Sequence, residues 1–309
     1  MGYYQDDFLK KTRLIFKIQN KMSKSKAFSM LISTLMMTLL FIKPSVAQDV
    51  KNASFNVITY NIRMNTSGDG ENAWPLRKDK VAGLLKFHQA DIFNVQEALP
   101  EQMDDLVSSF PGFAHVGVGR DDGKRLGEHM AIFYKTDRFM KEKDGMFWLN
   151  EATDKPGKGW DAQCNRTVTW IRLKDQITGK SFYVFDTHFD HMGNIARVES
   201  SKLILKSIRE INKENLPLIL TGDFNLTKKT APIQLILKEL NDAQDKSQTL
   251  PYGPEGTSGG FNVKVMPNKI DFVFINQKVE VLRHGVLSDS FGLFYPSDHL
   301  PVLVEVKID

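Results

Sequence analysis

A carboxylate and a carboxamide stand two residues apart in Thr221-Gly222-Asp223-Phe224-Asn225. The apolar run Leu216-Pro217-Leu218-Ile219-Leu220 precedes them and, bounded by glycine, reads as a buried strand. Residues two apart on a strand share a side, so the run delivers Asp223 and Asn225 together. A carboxylate takes a proton or holds a cation, and a carboxamide donates a hydrogen bond to an anionic oxygen. That pairing suits hydrolysis of a phosphate ester. Taken alone, it equally describes an Asx turn closing a strand.

Other polar residues recur at strand ends: Asn61, Glu97, His188, Asp271 and the pair Asp298-His299. Asp271 interrupts the apolar stretch Ile270-Asp271-Phe272-Val273-Phe274-Ile275, where a charge is costly unless paired or bound to metal. Each residue has an ordinary reading: an edge-strand acid for Asp271, a loop histidine for His299, a surface acid for Glu97. Together those readings require residue types that do chemistry to fall at successive strand ends by chance.

The elements that must carry these residues follow from periodicity. Strands are expected over residues 55–61, 91–97, 130–134, 167–173, 182–187, 216–223, 270–275 and 302–306. Pro75 and Pro100 open helices, and apolar spacing places others over 196–211 and around 232–240. Residues 143–166 read as a long loop carrying Trp148 and Trp160. Adjacent strands are mixed with strand–helix–strand units, which favours an α/β chain of two packed sheets with helices outside.

Residues 1–47 are expected to be a leader. Lys24 and Lys26 flank the uncharged apolar stretch 27–42, and Ser45-Val46-Ala47 offers small residues for cleavage after Ala47. The stretch is short of a bilayer span, so the mature chain is expected to be secreted or periplasmic without a membrane anchor. Met1 and Met22 are both candidate starts. The leader holds eight basic and two acidic residues, which leaves 33 basic and 35 acidic residues in 48–309, a net charge of −2. Such a domain has no global field to gather polyanions, and nucleic acid is not the favoured partner. The single cysteine, Cys164, excludes an intramolecular disulfide, and residues 48–309 are expected to form one catalytic domain, a monomer.

The ordered set Thr59-Tyr60-Asn61, Gln96-Glu97, Thr187-His188, Gly222-Asp223-Phe224-Asn225, Ile270-Asp271 and Ser297-Asp298-His299 resembles the endonuclease/exonuclease/phosphatase superfamily across residues 53–307. The resemblance implies a DNase I-like four-layer α-β-β-α sandwich. It also implies a divalent metal, Mg²⁺ or Mn²⁺, at Asn61, Glu97 and Asp298. Asp223 would orient or deprotonate water, and Asn225 would donate to a phosphate oxygen. His299, held by Asp271, would bind the phosphate, and His188 would be a proton donor with Glu128 as its acidic partner. Arg166, ahead of a strand, is expected to reach the phosphate with its planar fork. Asp190, after His188, is expected to meet Arg197 rather than form a metal site with His188 and His191. Exported bacterial relatives with the same Thr187-His188-Phe189-Asp190-His191 pattern point to an exported metal-dependent phosphodiesterase or phosphomonoesterase. An extracellular nuclease and a binding-only relative are the alternatives.

Overall fold

The computed structural model describes residues 53–308 and, before them, the helical residues Lys17, Asn20, Lys21 and Met22. The apolar stretch 27–42 and the cleavage position after Ala47 lie outside the described residues.

Among the described residues twelve strands form two six-stranded sheets. One contains β1 (Phe55–Asn61), β2 (Ile92–Ala98), β3 (Phe113–Val116), β4 (His129–Lys135), β11 (Val279–Val286) and β12 (Val302–Ile308), in the order β11-β12-β1-β2-β4-β3. The other contains β5 (Phe139–Trp148), β6 (Thr167–Asp175), β7 (Ser181–His188), β8 (Leu218–Asp223), β9 (Asn241–Asp242) and β10 (Asp271–Ile275), in the order β5-β6-β7-β8-β10-β9. Each sheet holds one parallel pair, β1–β2 or β7–β8, among antiparallel neighbours. A parallel pair needs a crossover, and helices α1 (Trp74–Phe87) and α3 (Asn194–Ile211) supply it. The shorter helices are α2 (Pro100–Ser109), α4 (Ala231–Ile236) and α5 (Ala243–Lys246).

Three apolar clusters define the layers. Val57, Ile92, Val184, Ile219, Val273 and Val304 fill the space between the sheets. Val81, Leu84, Leu85 and Leu106 of α1 and α2 pack on Ile58, Phe93 and Phe133 outside one sheet. Ile204, Leu205, Ile208, Ile233 and Ile236 of α3 and α4 pack on Phe185, Leu220 and Phe272 outside the other. The result is the expected α-β-β-α sandwich. Alternate residues of each strand serve different clusters (Val57 inward, Ile58 outward), as a sheet covered on both faces demands.

The long loop expected over 143–166 is shorter, because its first residues belong to β5. Residues 141–144 are exposed and charged along an edge strand, so apolar alternation is absent, and pairing with β6 alone defines them. Among the described residues no helix is long and apolar enough to cross a membrane.

Candidate active site

The strand ends converge where the two sheets meet. Asp223 ends β8 at 1% exposure, and its register partners are His188 on β7 and Asp271 on β10. Gly222 takes φ 148°, and a Cβ there would stand 2.0 Å from the Thr187 carbonyl oxygen. Glycine thus lets β8 approach β7 closely enough to bring the two functional ends together.

Asn61, at the end of β1 in the opposite sheet, bridges the sheets. Its Nδ2 donates to Glu97 Oε1 and to Asp223 Oδ2, each at 3.0 Å. Its Oδ1 accepts from Arg63 N at 3.0 Å, which leaves one lone pair on that oxygen. Glu97 sits at a bulge in β2 with φ 66°, and Oε2 accepts from Met64 N at 3.0 Å. Asn225 also adopts a left-handed conformation, φ 51°, and its N–H donates to Asp223 Oδ1 at 2.8 Å. Left-handed backbone at a non-glycine residue is strained and persists only where neighbours over-determine it. Here it falls on two of the residues that bear chemistry.

His299 Nδ1 lies 2.9 Å from Asp271 Oδ2, and Nε2 lies 3.8 Å from Asp223 Oδ2 and 3.4 Å from Ser258 Oγ. Burial disfavours the imidazolium, but the Asp271 and Asp223 carboxylates outweigh it and hold the His299 pKa well above its ordinary value. Burial and the nearby Asp271 charge push Asp223 up to about 7, against the pull of His299. His188 is the opposite case. Burial, then the Arg166 and Arg120 charges, hold it well below its ordinary value. Its Nε2 faces the Asn225 Nδ2 at 3.0 Å and Asp223 Oδ2 at 3.4 Å. Burial and the two arginines thus favour the neutral imidazole, and its Nε2 is placed to accept from Asn225 Nδ2.

Glu128 departs from expectation. Its Oε2 accepts from Arg120 Nη1 at 2.5 Å, while His188 Nδ1 has no partner. Arg120 is nearby because a loop with Gly117, Gly119, Gly123 and Gly127 folds it back over Glu128. Asp190 does not meet Arg197, which bonds Asn194 Oδ1 at 2.5 Å. Instead Oδ1 of Asp190 takes the N–H groups of Met192 and Gly193, and Oδ2 takes those of Gln163 and Cys164. Arg166 Nε lies 3.6 Å from Asp190, and Nη2 lies 3.2 Å from His191 Nδ1. The ligand atoms of Cys164, Asp190 and His191 lie within 4.8 Å of one another, but both Asp190 oxygens are already spent on backbone.

Asp298 is partly buried beside the site, and Ser297 Oγ donates to the Asn61 carbonyl at 2.7 Å. Burial raises the Asp298 pKa, His299 lowers it, and the like charge of Glu97 raises it further. Arg77, buried at 2%, donates to the carbonyls of Ile62, Arg63 and Pro296 and so ties the exit of β1 to the segment carrying Asp298. One rung deeper lies a polar layer: Gln96 Nε2 donates to Asp186 Oδ1 at 2.7 Å and Asn94 Nδ2 donates to Thr221 Oγ1 at 2.7 Å. Burial lifts Asp186 well above the ordinary carboxylate range. Period-2 spacing below Asn61, His188 and Asp223 is the signal by which Thr59, Asp186 and Thr221 are found, and the glycine spacing is the signal for Arg120.

The donor set tests the expected metal. Glu97 and Asp298 are half-buried carboxylates of like charge, with Asn61 Oδ1 alongside. They are hard oxygen ligands, and they fit a divalent cation. The Asp223–Asp271–His299 group has ligand atoms within the same reach, but His299 Nδ1 is engaged by Asp271.

A mixed four-layer sandwich whose strand ends gather Asn61, Glu97, Asp223, Asn225, Asp271 and His299 defines a phosphoric ester hydrolase class. The sequence matches the Endonuclease/Exonuclease/phosphatase family over residues 58–299, and the chain belongs to that family. A mannosyl-6-phosphatase of Bacteroides thetaiotaomicron is 37% identical, with a TM-score of 0.80 covering 82% of this chain and 100% of that one. An endonuclease/exonuclease/phosphatase of Bacteroides vulgatus is 35% identical, with a TM-score of 0.79 covering 84% of this chain and 100% of that one. An uncharacterized protein of Acanthamoeba polyphaga mimivirus is 25% identical over 166 residues, 50% of this chain. The chain spans 60% of that viral protein's length. Family membership supports phosphoric ester hydrolysis as the activity, and enzymes of this family generally use divalent metals.

Proposed function

We propose that this chain is an exported, divalent-metal-dependent hydrolase that attacks a phosphate ester with water, and that a sugar phosphate monoester is its substrate. The observation that carries the reading is Asp223: buried, with Asn61, Asn225, His188 and His299 within 4 Å of its carboxylate. Similarity to the mannosyl-6-phosphatase supports the monoester, and residues 22–47 support export.

Asp223 holds the attacking water and takes its proton, a role suited to a carboxyl whose pKa lies near neutrality. His299, kept charged between Asp271 and Asp223, directs Nε2–H at a phosphate oxygen. Asn225 exchanges its hydrogen bond to His188 for one to the phosphate. Arg166 supplies a guanidinium to the same anion. A cation held by Glu97, Asp298 and Asn61 Oδ1, Mg²⁺ or Mn²⁺, supplies charge stabilisation at the phosphate when bound.

The test is turnover by purified protein with Mg²⁺ or Mn²⁺ on mannose 6-phosphate, mononucleotides, bis-p-nitrophenyl phosphate and oligonucleotides. Hydrolysis that stops on chelation and returns with metal is the expected result. Failure on every ester across a broad metal screen sinks the enzyme reading and leaves binding without catalysis. Preference for oligonucleotides replaces the monoester reading with a nuclease. Mass spectrometry of the exported protein should find an N-terminus at Gln48; retention of residues 1–47 refutes export by cleavage.

A further inference from the structure

Buried donors without acceptors collect on one side of His188. Arg166 is 4% exposed, yet its Nε and Nη1 have no hydrogen-bond partner. Thr167 Oγ1, His188 Nδ1 and Arg120 Nε are likewise buried and unpartnered. Thr167 belongs to the same corner, because β6 pairs with β7 at Val168–Thr187 and the Thr167 carbonyl accepts from Thr187 Oγ1 at 3.0 Å. Arg166 and Arg120 are the two charges that bear most on His188, and both also bear on Glu128. Buried donors are normally satisfied, so a cluster of them marks the place of an acceptor that arrives from outside.

The acceptors already present do not match these donors. Glu128 takes one Arg120 nitrogen, and Asp190 is saturated by four backbone N–H groups. The missing ligand is anionic, offers several oxygens, and meets two guanidiniums, which describes a phosphate. Arg120 is placed rigidly for this. Its N–H donates to the Glu128 carbonyl at 3.0 Å, and its own carbonyl accepts from Trp148 Nε1 at 2.7 Å. Gly123 lets the loop pass beneath the Trp148 ring, where a Cβ would stand 2.9 Å from the indole.

We propose that Arg120 is a specificity-determining residue of the phosphate subsite, and that Arg120 with Arg166 selects the terminal dianion of a phosphomonoester over a diester. This rests on the hydrolase reading above. A monoester has three non-bridging oxygens and two negative charges, whereas a diester has two such oxygens, one charge and a second ester group. The paired guanidiniums take the third oxygen. Both side chains are little exposed, 5% for Arg166 and 12% for Arg120, so their charge is poorly screened by water and favours the dianion.

The test compares p-nitrophenyl phosphate with bis-p-nitrophenyl phosphate, which share a leaving group, in the full chain. Wild type should prefer the monoester. Arg120→Met, and Arg120→Met with Glu128→Gln to avoid a lone buried carboxylate, should lose on the order of 100-fold in kcat/KM on the monoester. Diester turnover should change by less than about 3-fold. Arg120→Lys, which keeps the charge and loses the fork, should fall between and covers the case in which the methionine variants do not fold. Equal losses on both esters, or no loss, overturn the proposal. Calorimetric titration with inorganic phosphate separates this proposal from the hydrolase reading because it needs no turnover. Arg120→Met should weaken phosphate binding even where Asp223→Ala shows the catalytic assignment to be wrong, and unchanged phosphate affinity overturns the subsite.

Discussion

The crossover units β1–α1–β2 and β7–α3–β8 are built alike and end differently. Each is a parallel pair inside its sheet, with a helix packed on the outer face. The first ends in Asn61 and Glu97, oxygen donors suited to a cation. The second ends in His188, an imidazole held well below its ordinary value, and Asp223, a carboxyl pushed up to about 7. Their exits are held with opposite polarity. Arg77 donates to carbonyls after β1, whereas Asp190 accepts backbone N–H groups after β7. Their backbones also differ: Glu97 itself is left-handed, while in β8 the unusual conformation falls on Gly222 beside Asp223. One architecture, used twice, brings four strand ends together. The residue at each end sets the chemistry available there, and the proposed reading divides the metal and the proton-transfer roles between the two units.

That division can be broken most directly at the two carboxylates. Asp223→Ala should cut kcat by about 10³-fold or more with the fold intact, and added metal should not restore it. Glu97→Gln should instead raise the metal concentration needed for half-maximal activity by about 10–100-fold, a loss that excess metal recovers. Metal rescue of the Asp223 variant, or none for the Glu97 variant, would show that the roles are not so divided.

Gly222→Ala probes the close approach in the second unit. Its Cβ meets a backbone oxygen at 2.0 Å, so the strands must part, and chemical denaturation should show a loss of about 3 kcal/mol. A neutral result would mean that β7 and β8 do not need that contact. Asp271→Asn removes the charge that keeps His299 protonated. Phosphate-ester turnover should fall about 10–100-fold, because His299 then donates less of the time near neutral pH. Unchanged turnover would remove His299⁺ from the reaction.

The smallest effect tests the opposed exits. Burial works against the Asp190 carboxylate, but the Gly193, Met192 and Cys164 N–H groups and Arg166 draw its pKa from 3.8 to about 2. A depressed carboxylate stabilises the fold above its unfolded pKa, and that contribution disappears as pH falls through the folded value. Asp190→Asn should therefore cost about 2 kcal/mol in urea denaturation at neutral pH, with the gap from wild type closing between about pH 4 and pH 2. The Arg77 tie carries no titration in that range, so Arg77→Met should be destabilising to the same extent at each pH. A pH-independent Asp190 variant would erase this distinction.

Most strands were legible because buried strands announce themselves. Residues 55–61 were expected as a strand and are β1, and the run into Asp223 was expected because consecutive apolar residues serve two cores at once. Strand β5 was not legible, since residues 141–144 are exposed and charged and only pairing with β6 holds them extended. In the same way Glu128 was expected beside His188, but the glycine loop swings Arg120 onto it. A contact made by a folded-back loop leaves no periodic trace. Asp190 was assigned to Arg197 on the next helix, yet four backbone N–H groups closer in space claimed it first.

The sequence by itself determined the layers and the placing of polar residues at strand ends, because both follow from local alternation of apolar and polar side chains. It also determined the chemistry available, since carboxylate, carboxamide and imidazole are properties of residues. Tertiary structure alone decided the protonation and the partners. Burial and facing carboxylates keep His299 charged, while burial and facing arginines keep His188 neutral. Two histidines of the same intrinsic pKa differ in charge because a buried ionisable group answers to its neighbours in space, and those come from strands and loops far apart in the chain.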